Sequence, residues 1–164
     1  MNRESELEKA FQLRDRLESV PPDDAVLRTL YDTYLETIRR TDSLMWKSGV
    51  AFSCAKCAEQ KGSCCFEGMD QSYGALLIYI NMLMGVDFSL APYSPASCRF
   101  VGKDGCRLKA RFSFCLNYFC PDLRTLLDEK EMERIQREIG KQLFAGWELE
   151  RALSRWFTDA QKRV

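Results

Sequence analysis

Histidine does not occur in this sequence. Its absence removes the side chain that most often acts as a general base near neutral pH and most often gives nitrogen to a metal. Serine-histidine and cysteine-histidine catalytic pairs, and the usual zinc-hydrolase ligand sets, are thereby excluded. A predominant sign of charge is also missing, since 24 lysine and arginine residues balance 24 aspartate and glutamate residues. Nothing global draws the chain to nucleic acid or to an anionic membrane, and neither is expected as a partner. Long apolar runs are absent too: the longest, Tyr73 to Val86, is too short to cross a bilayer and is interrupted by Asn81. The opening Met1-Asn-Arg-Glu-Ser-Glu-Leu-Glu-Lys is too charged for a secretory signal. The expectation is a cytoplasmic protein, in which thiols stay reduced and clustered cysteines serve metal or redox chemistry more often than disulfides.

Cysteine is what the chain does have. All eight fall in two blocks, Cys54-Ala-Lys-Cys57 with the adjacent pair Cys64-Cys65, and then Cys98, Cys106, Cys115 and Cys120. Core-filling cysteines would be scattered; these are not. Zinc or an iron-sulfur cluster takes four thiolates, and the two-residue gap lets Cys54 and Cys57 face one ion. Eight thiols could supply two such sets. Neighbouring side chains diverge, so Cys64 and Cys65 could serve two nearby centres or opposite sides of a polynuclear one. With no histidine available, all eight cysteines are candidate metal ligands.

Around these blocks the chain reads as mainly α, with several helices packed around an irregular cysteine-rich metal-binding core and one short β-hairpin. At 164 residues it has the length of a single domain, 1–164. An N-terminal helical pair is expected over 1–49, a cysteine-rich metal-binding region with one central helix over 50–120, and a C-terminal helical segment over 121–164. Leu7, Ala10, Phe11, Leu13 and Leu17 recur at helical steps, and Pro21-Pro22 would end that helix. Asp23 and Asp24 would cap a second helix whose apolar stripe runs through Val26, Leu27, Leu30, Tyr31, Tyr34, Ile38 and Met45. The first cysteine block, flanked by Gly62 and Gly68, is read as a loop. Asp70 and Ser72 are candidate caps for the central helix through Leu76, Leu77, Ile80 and Leu83. Pro92 and Pro95 predict an extended connection. Gly102-Lys-Asp-Gly105 predicts the hairpin turn. Asp128 with Glu131 predicts a capping box at the head of a last long helix carrying Met132, Ile135, Ile139, Leu143, Trp147, Leu153, Trp156 and Phe157, with Gly140 and Gly146 as weak points.

The pattern Cys54-x2-Cys57, Cys64-Cys65, Cys98-Arg-Phe-x4-Gly105-Cys106-Arg-Leu and Arg111-x3-Cys115-x2-Tyr118-x-Cys120 resembles the YkgJ-type CxxCxxCC family of zinc- or iron-chelating domain proteins. The resemblance covers roughly residues 54 to 120. It implies that Cys54, Cys57, Cys64, Cys65, Cys98, Cys106 and Cys115 chelate metal, with Cys120 at the edge of the matched stretch. The spacer before Cys64 is longer than in that family, and Phe112 replaces its proline. A similar cluster occurs in bacterial lysine methylases acting on flagellin, but no glycine-rich nucleotide-binding turn follows a strand here.

The bland readings are reduced structural thiols, disulfides, and, for Cys54-Ala-Lys-Cys57 alone, a dithiol redox motif; the last lacks its usual βαβ setting. Arg99, Lys103, Arg107, Lys109 and Arg111 read better as counter-charge to metal-bound thiolates than as a nucleic-acid patch. Phe112, Phe114, Tyr118 and Phe119 would shield such a site or fill an ordinary core. The function expected is therefore a metal-binding protein, its cofactor zinc or an iron-sulfur cluster, acting in metal handling, sensing or as an accessory module. The alternative is an iron-sulfur oxidoreductase or electron carrier. No catalytic constellation stands apart from the thiols, and no protein partner can be read.

Overall fold

A computed structural model describes residues 5–17, 24–58, 64–91 and 97–161. The elements run α1 (Glu6–Arg16), α2 (Ala25–Lys47), α3 (Val50–Ala58), a 3-10 turn (Met69–Ser72), α4 (Ala75–Leu83), β1 (Val101–Gly102), β2 (Gly105–Cys106), α5 (Ser113–Asn117), α6 (Pro121–Leu126) and α7 (Glu129–Gln161). The chain is mainly helical, with one antiparallel hairpin in which Val101 pairs with Cys106 and Gly102 with Gly105. Pro21-Pro22, Asp23, Gly62, Pro92 and Pro95 lie outside the described residues.

The helix starts are set by local chemistry. Ser5 and Glu8 form a reciprocal capping box on α1. Asp24 accepts the Leu27 N–H at 3.0 Å, and Asp128 accepts the Glu131 N–H at 2.8 Å while Glu131 takes the Asp128 N–H. The central helix α4 differs from expectation. Asp70 and Ser72 belong to the 3-10 turn, and the residue before α4 is Gly74, which has no capping side chain. The cap comes from elsewhere in the chain, since Glu6 Oε2 accepts the Ala75 N–H at 2.8 Å. Tyr79 completes the α1–α4 joint by donating its hydroxyl hydrogen to the Leu17 carbonyl at 2.8 Å.

The backbone of the molecule is α7 lying along α2. Its 33 residues span roughly 50 Å at 1.5 Å per residue. Two apolar clusters share it. The first gathers α1, α4, the hairpin and the C-terminal half of α7, with Tyr79, Ile80, Val101, Leu149 and Leu153 fully buried. The second, of Met45, Val50, Leu116, Phe119, Leu123, Leu127, Ile135 and Ile139, gathers the end of α2, the start of α3, α5, α6 and the head of α7.

Gly140 and Gly146 do not interrupt α7. At Gly146 the missing side chain is the point of contact, because a Cβ there would lie 2.8 Å from Tyr34 Cζ. Tyr34 is 2% exposed and cannot swing out freely. Trp147, expected in the core, is 51% exposed and stacks at a tilt on Phe144. With Gly146 and Leu149 facing the core, Trp147 lies on the outward side of α7.

Two α7 substitutions should therefore move stability in opposite directions. Gly140→Ala, with open space around the new methyl, should gain up to about 1 kcal/mol from helix propensity. Gly146→Ala should lose about 1–2 kcal/mol, because crowding against Tyr34 outweighs the same propensity gain. Urea denaturation measures both; equal gains would show that Tyr34 does not set the α2–α7 spacing.

Candidate functional site

The first cysteine pair does not sit in a loop. Gly49, with φ +80, ends α2 in the left-handed conformation, and α3 starts at once, so Cys54 and Cys57 lie three residues apart on one helical face. Ala51, Ala55 and Ala58 favour that helix. Residues 59–63 lie outside the described residues, and the chain returns at Cys64-Cys65.

The two blocks are joined by backbone. The Cys98 N–H donates to the Cys65 carbonyl at 2.8 Å, and Phe66 bridges Ser97 in an antiparallel pair. The hairpin then carries Cys106 against α3. Gly105 has φ +98, and a Cβ on it would come within 3.6 Å of the Ala55 backbone, midway between Cys54 and Cys57. The positive φ is what calls for glycine there, since a Cβ would make only ordinary contact with α3.

A residue first read only as a flaw in an apolar run holds the second block in place. Asn81 is fully buried. Its side-chain oxygen accepts the Lys109 N–H at 2.9 Å and the Ala110 N–H at 3.0 Å. Its amide donates to the carbonyls of Leu77 at 3.0 Å and Ala110 at 2.8 Å. The irregular stretch between Cys106 and Cys115 thus draws on α4 for hydrogen bonds it cannot make itself. Tyr73, also buried, accepts the Phe112 N–H at 3.0 Å and stands within hydrogen-bonding reach of Cys115. A lone carboxamide inside an otherwise apolar helix was the sequence signal for this pin.

All eight cysteines are free thiols. Cys64 lies within hydrogen-bonding reach of both Cys57 and Cys65. Cys54 feels the charge of Cys64, Cys120 and Cys57, and Cys57 that of Cys64 and Cys120. Cys65 feels Cys106 and Cys115 beyond Cys64, and Cys98 feels Cys106 and Cys115. Burial pushes Cys54 and Cys98 each up to about 11 and also raises Cys57 and Cys106. Cys54 and Cys106 expose surface as residues, yet the sulfurs themselves sit in crowded surroundings, which is what makes desolvation the largest cause. Cys64 goes the other way, down to about 6, because Cys65 and Cys57 donate to it. Cys65, as the donor, is raised correspondingly.

The basic residues of the second block divide by role. Arg107 donates to the carbonyls of Leu90, Ala91 and Arg99, and Lys109 to that of Met84, so both fasten backbone. Lys103 pairs with Asp104 on the surface. Arg111 pairs with Asp42 of α2 and lowers the thiols of both Cys54 and Cys106. Its Nε is buried without a hydrogen-bond partner among the described residues.

No family model, curated protein or solved structure matches this chain. The likeness to CxxCxxCC proteins therefore rests on the quoted residues alone. Among the described residues no group of three or more His, Cys, Asp or Glu side chains is gathered closely enough to hold a metal ion. No helix among the described residues is long and apolar enough to cross a membrane.

Asn81→Leu should cost about 3 kcal/mol, since it strands the N–H groups of Lys109 and Ala110 inside the protein. It should also raise the alkylation rates of Cys106 and Cys115 in the folded state several-fold. A loss below about 0.5 kcal/mol, with unchanged thiol reactivity, would show that α4 does not position the second block.

Proposed function

We propose that this chain is a metal-binding protein whose cysteine thiolates chelate zinc or an iron-sulfur cluster, in a metal-handling, sensing or accessory role. The observation that carries the reading is the meeting of two sequence-distant blocks of free thiols, tied together at Cys65 and Cys98. An ordinary core has no use for eight clustered free thiols, and burial and mutual repulsion resist ionisation at Cys54, Cys57, Cys98 and Cys106. A soft cation reverses both effects, replacing the thiol protons and drawing the sulfurs inward. That inward movement is what the present side-chain arrangement requires before four sulfurs share one ion.

The surroundings suit such a centre. Four thiolates around a divalent ion leave a net charge of about minus two. Arg111, held by Asp42 and acting on Cys54 and Cys106, offers cationic compensation, and its unpartnered Nε–H is a donor available to sulfur. Tyr73, Phe100 and Phe112 pack together beside the second block, with Tyr73 and Phe100 in edge-to-face contact at 5.1 Å, and limit access of water. An iron-sulfur centre would supply electron transfer; zinc would supply structure or Lewis acidity.

Protein purified without oxygen and analysed for elements should retain zinc or iron. A colourless zinc protein excludes electron transfer by the metal, and a brown preparation with visible absorbance establishes iron-sulfur. Chelation should lower the melting temperature by several degrees, because the cysteine loops lose their anchor. A reduced chain that holds no metal, takes up no zinc and melts identically with and without chelator would refute the reading.

A further inference from the structure

We infer that the outward face of α7 is a self-association surface, on which two copies of this chain pair through antiparallel α7 helices about a two-fold axis level with Gln142. Nothing in it depends on a bound metal.

The face lies directly opposite the core. Ile135, Ile139, Leu149 and Leu153, all buried, gather on the side of α7 turned toward its neighbouring helices. At about 100° per residue, Phe144 stands on the far side from them. It is 59% exposed and stacks at a tilt on Trp147, their ring centroids 5.9 Å apart, while the Arg151 guanidinium lies 4.4 Å from the Trp147 ring centre. One turn earlier comes Gly140, exposed, with nothing within 4 Å of the place a Cβ would take. Glycine weakens a helix interior, and no contact within this chain calls for it here. The close approach of a second helix does.

The charge pattern selects a second copy as the occupant. Let two α7 helices run antiparallel so that Phe144 of each stands over Gly140 of the other. Moving outward from that centre, Arg137 comes level with the second copy's Trp147, Glu133 with its Arg151, and Glu129 with its Arg155. The helix reversed against itself thus sets a cation on an aromatic ring and acid against base twice, and the two-fold repeats each contact on the other side. No like charges come level anywhere between Glu129 and Arg155. Glu129, Glu133, Arg137 and Arg155 are exposed and make no ion pair among the described residues, so the pairing breaks none. Those same glutamates disfavour the other ligand that arginines and exposed rings suit, a single-stranded nucleic acid, because they repel its phosphates.

The test is sedimentation of the full chain at rising concentration, with its thiols kept reduced so that no cross-link contributes. One helix per protomer makes a contact at the small end of interface sizes, so wild type should move from 19.0 kDa toward twice that mass between roughly 1 and 100 µM. Glu133→Arg and Arg151→Glu each place like charges at both symmetric contacts, and each should weaken self-association about tenfold or more. An equimolar mixture of these two variants should regain a dimer, because their heterodimer sets opposite charges together at both contacts. Circular dichroism should show unchanged helix in each, since both positions are exposed. A wild-type chain that stays at 19.0 kDa at about 100 µM overturns the inference, whether or not it binds a single-stranded oligonucleotide. So does a dimer that survives either charge reversal, or a mixture of the two variants that remains monomeric.

Discussion

The arrangement of this protein depends on one buried carboxamide. Asn81 closes hydrogen bonds to α4's own Leu77 carbonyl on one side and to Lys109 and Ala110 on the other. A segment without regular structure cannot be buried unless its N–H and C=O groups find partners. Asn81 provides three of those partners at once, and so fixes where the chain lies between the hairpin and α5. Cys106 precedes that stretch and Cys115 follows it. The helices make the scaffold, but this contact carries the scaffold's rigidity into the cysteine region.

The rest of the site is held by contacts of the same kind. Tyr73 takes the Phe112 N–H, Arg107 gathers four carbonyls, and Lys109 reaches back to Met84. Each is a polar side chain satisfying irregular backbone in place of a ladder. The consequence is a loop region whose fold is specified by protein groups, while its sulfurs remain unpaired with one another. Thiols raised by burial, as at Cys54 and Cys98, are poor nucleophiles and poor redox partners without a cation, yet they are suitable ligands once a cation replaces their protons.

Much of the scaffold was legible in the sequence because it is built from local rules. The Asp24 cap, the Asp128–Glu131 box, the α2 stripe and the Lys103-Asp104 hairpin turn depend on residues a few positions apart. What was not legible depends on distant partners. The cap of α4 comes from Glu6, and the smoothness of α7 at Gly146 comes from Tyr34. Helix α3 was read as a loop because its buried positions, Val50 and Ala58, stand eight residues apart with cysteines between them, so no stripe emerges. Asn81 looked like an interruption until its four partners appeared. The cysteine clustering was plain from the start, but which sulfurs become neighbours depends on how the two blocks meet.

The central claim is that sulfur from both blocks converges on an inorganic partner. X-ray absorption at the metal edge, on protein purified without oxygen, tests it most directly. The account predicts a first coordination shell of sulfur alone at roughly 2.3 Å. A first shell dominated by oxygen or nitrogen, in a chain that has no histidine to offer, would place the metal elsewhere and contradict it.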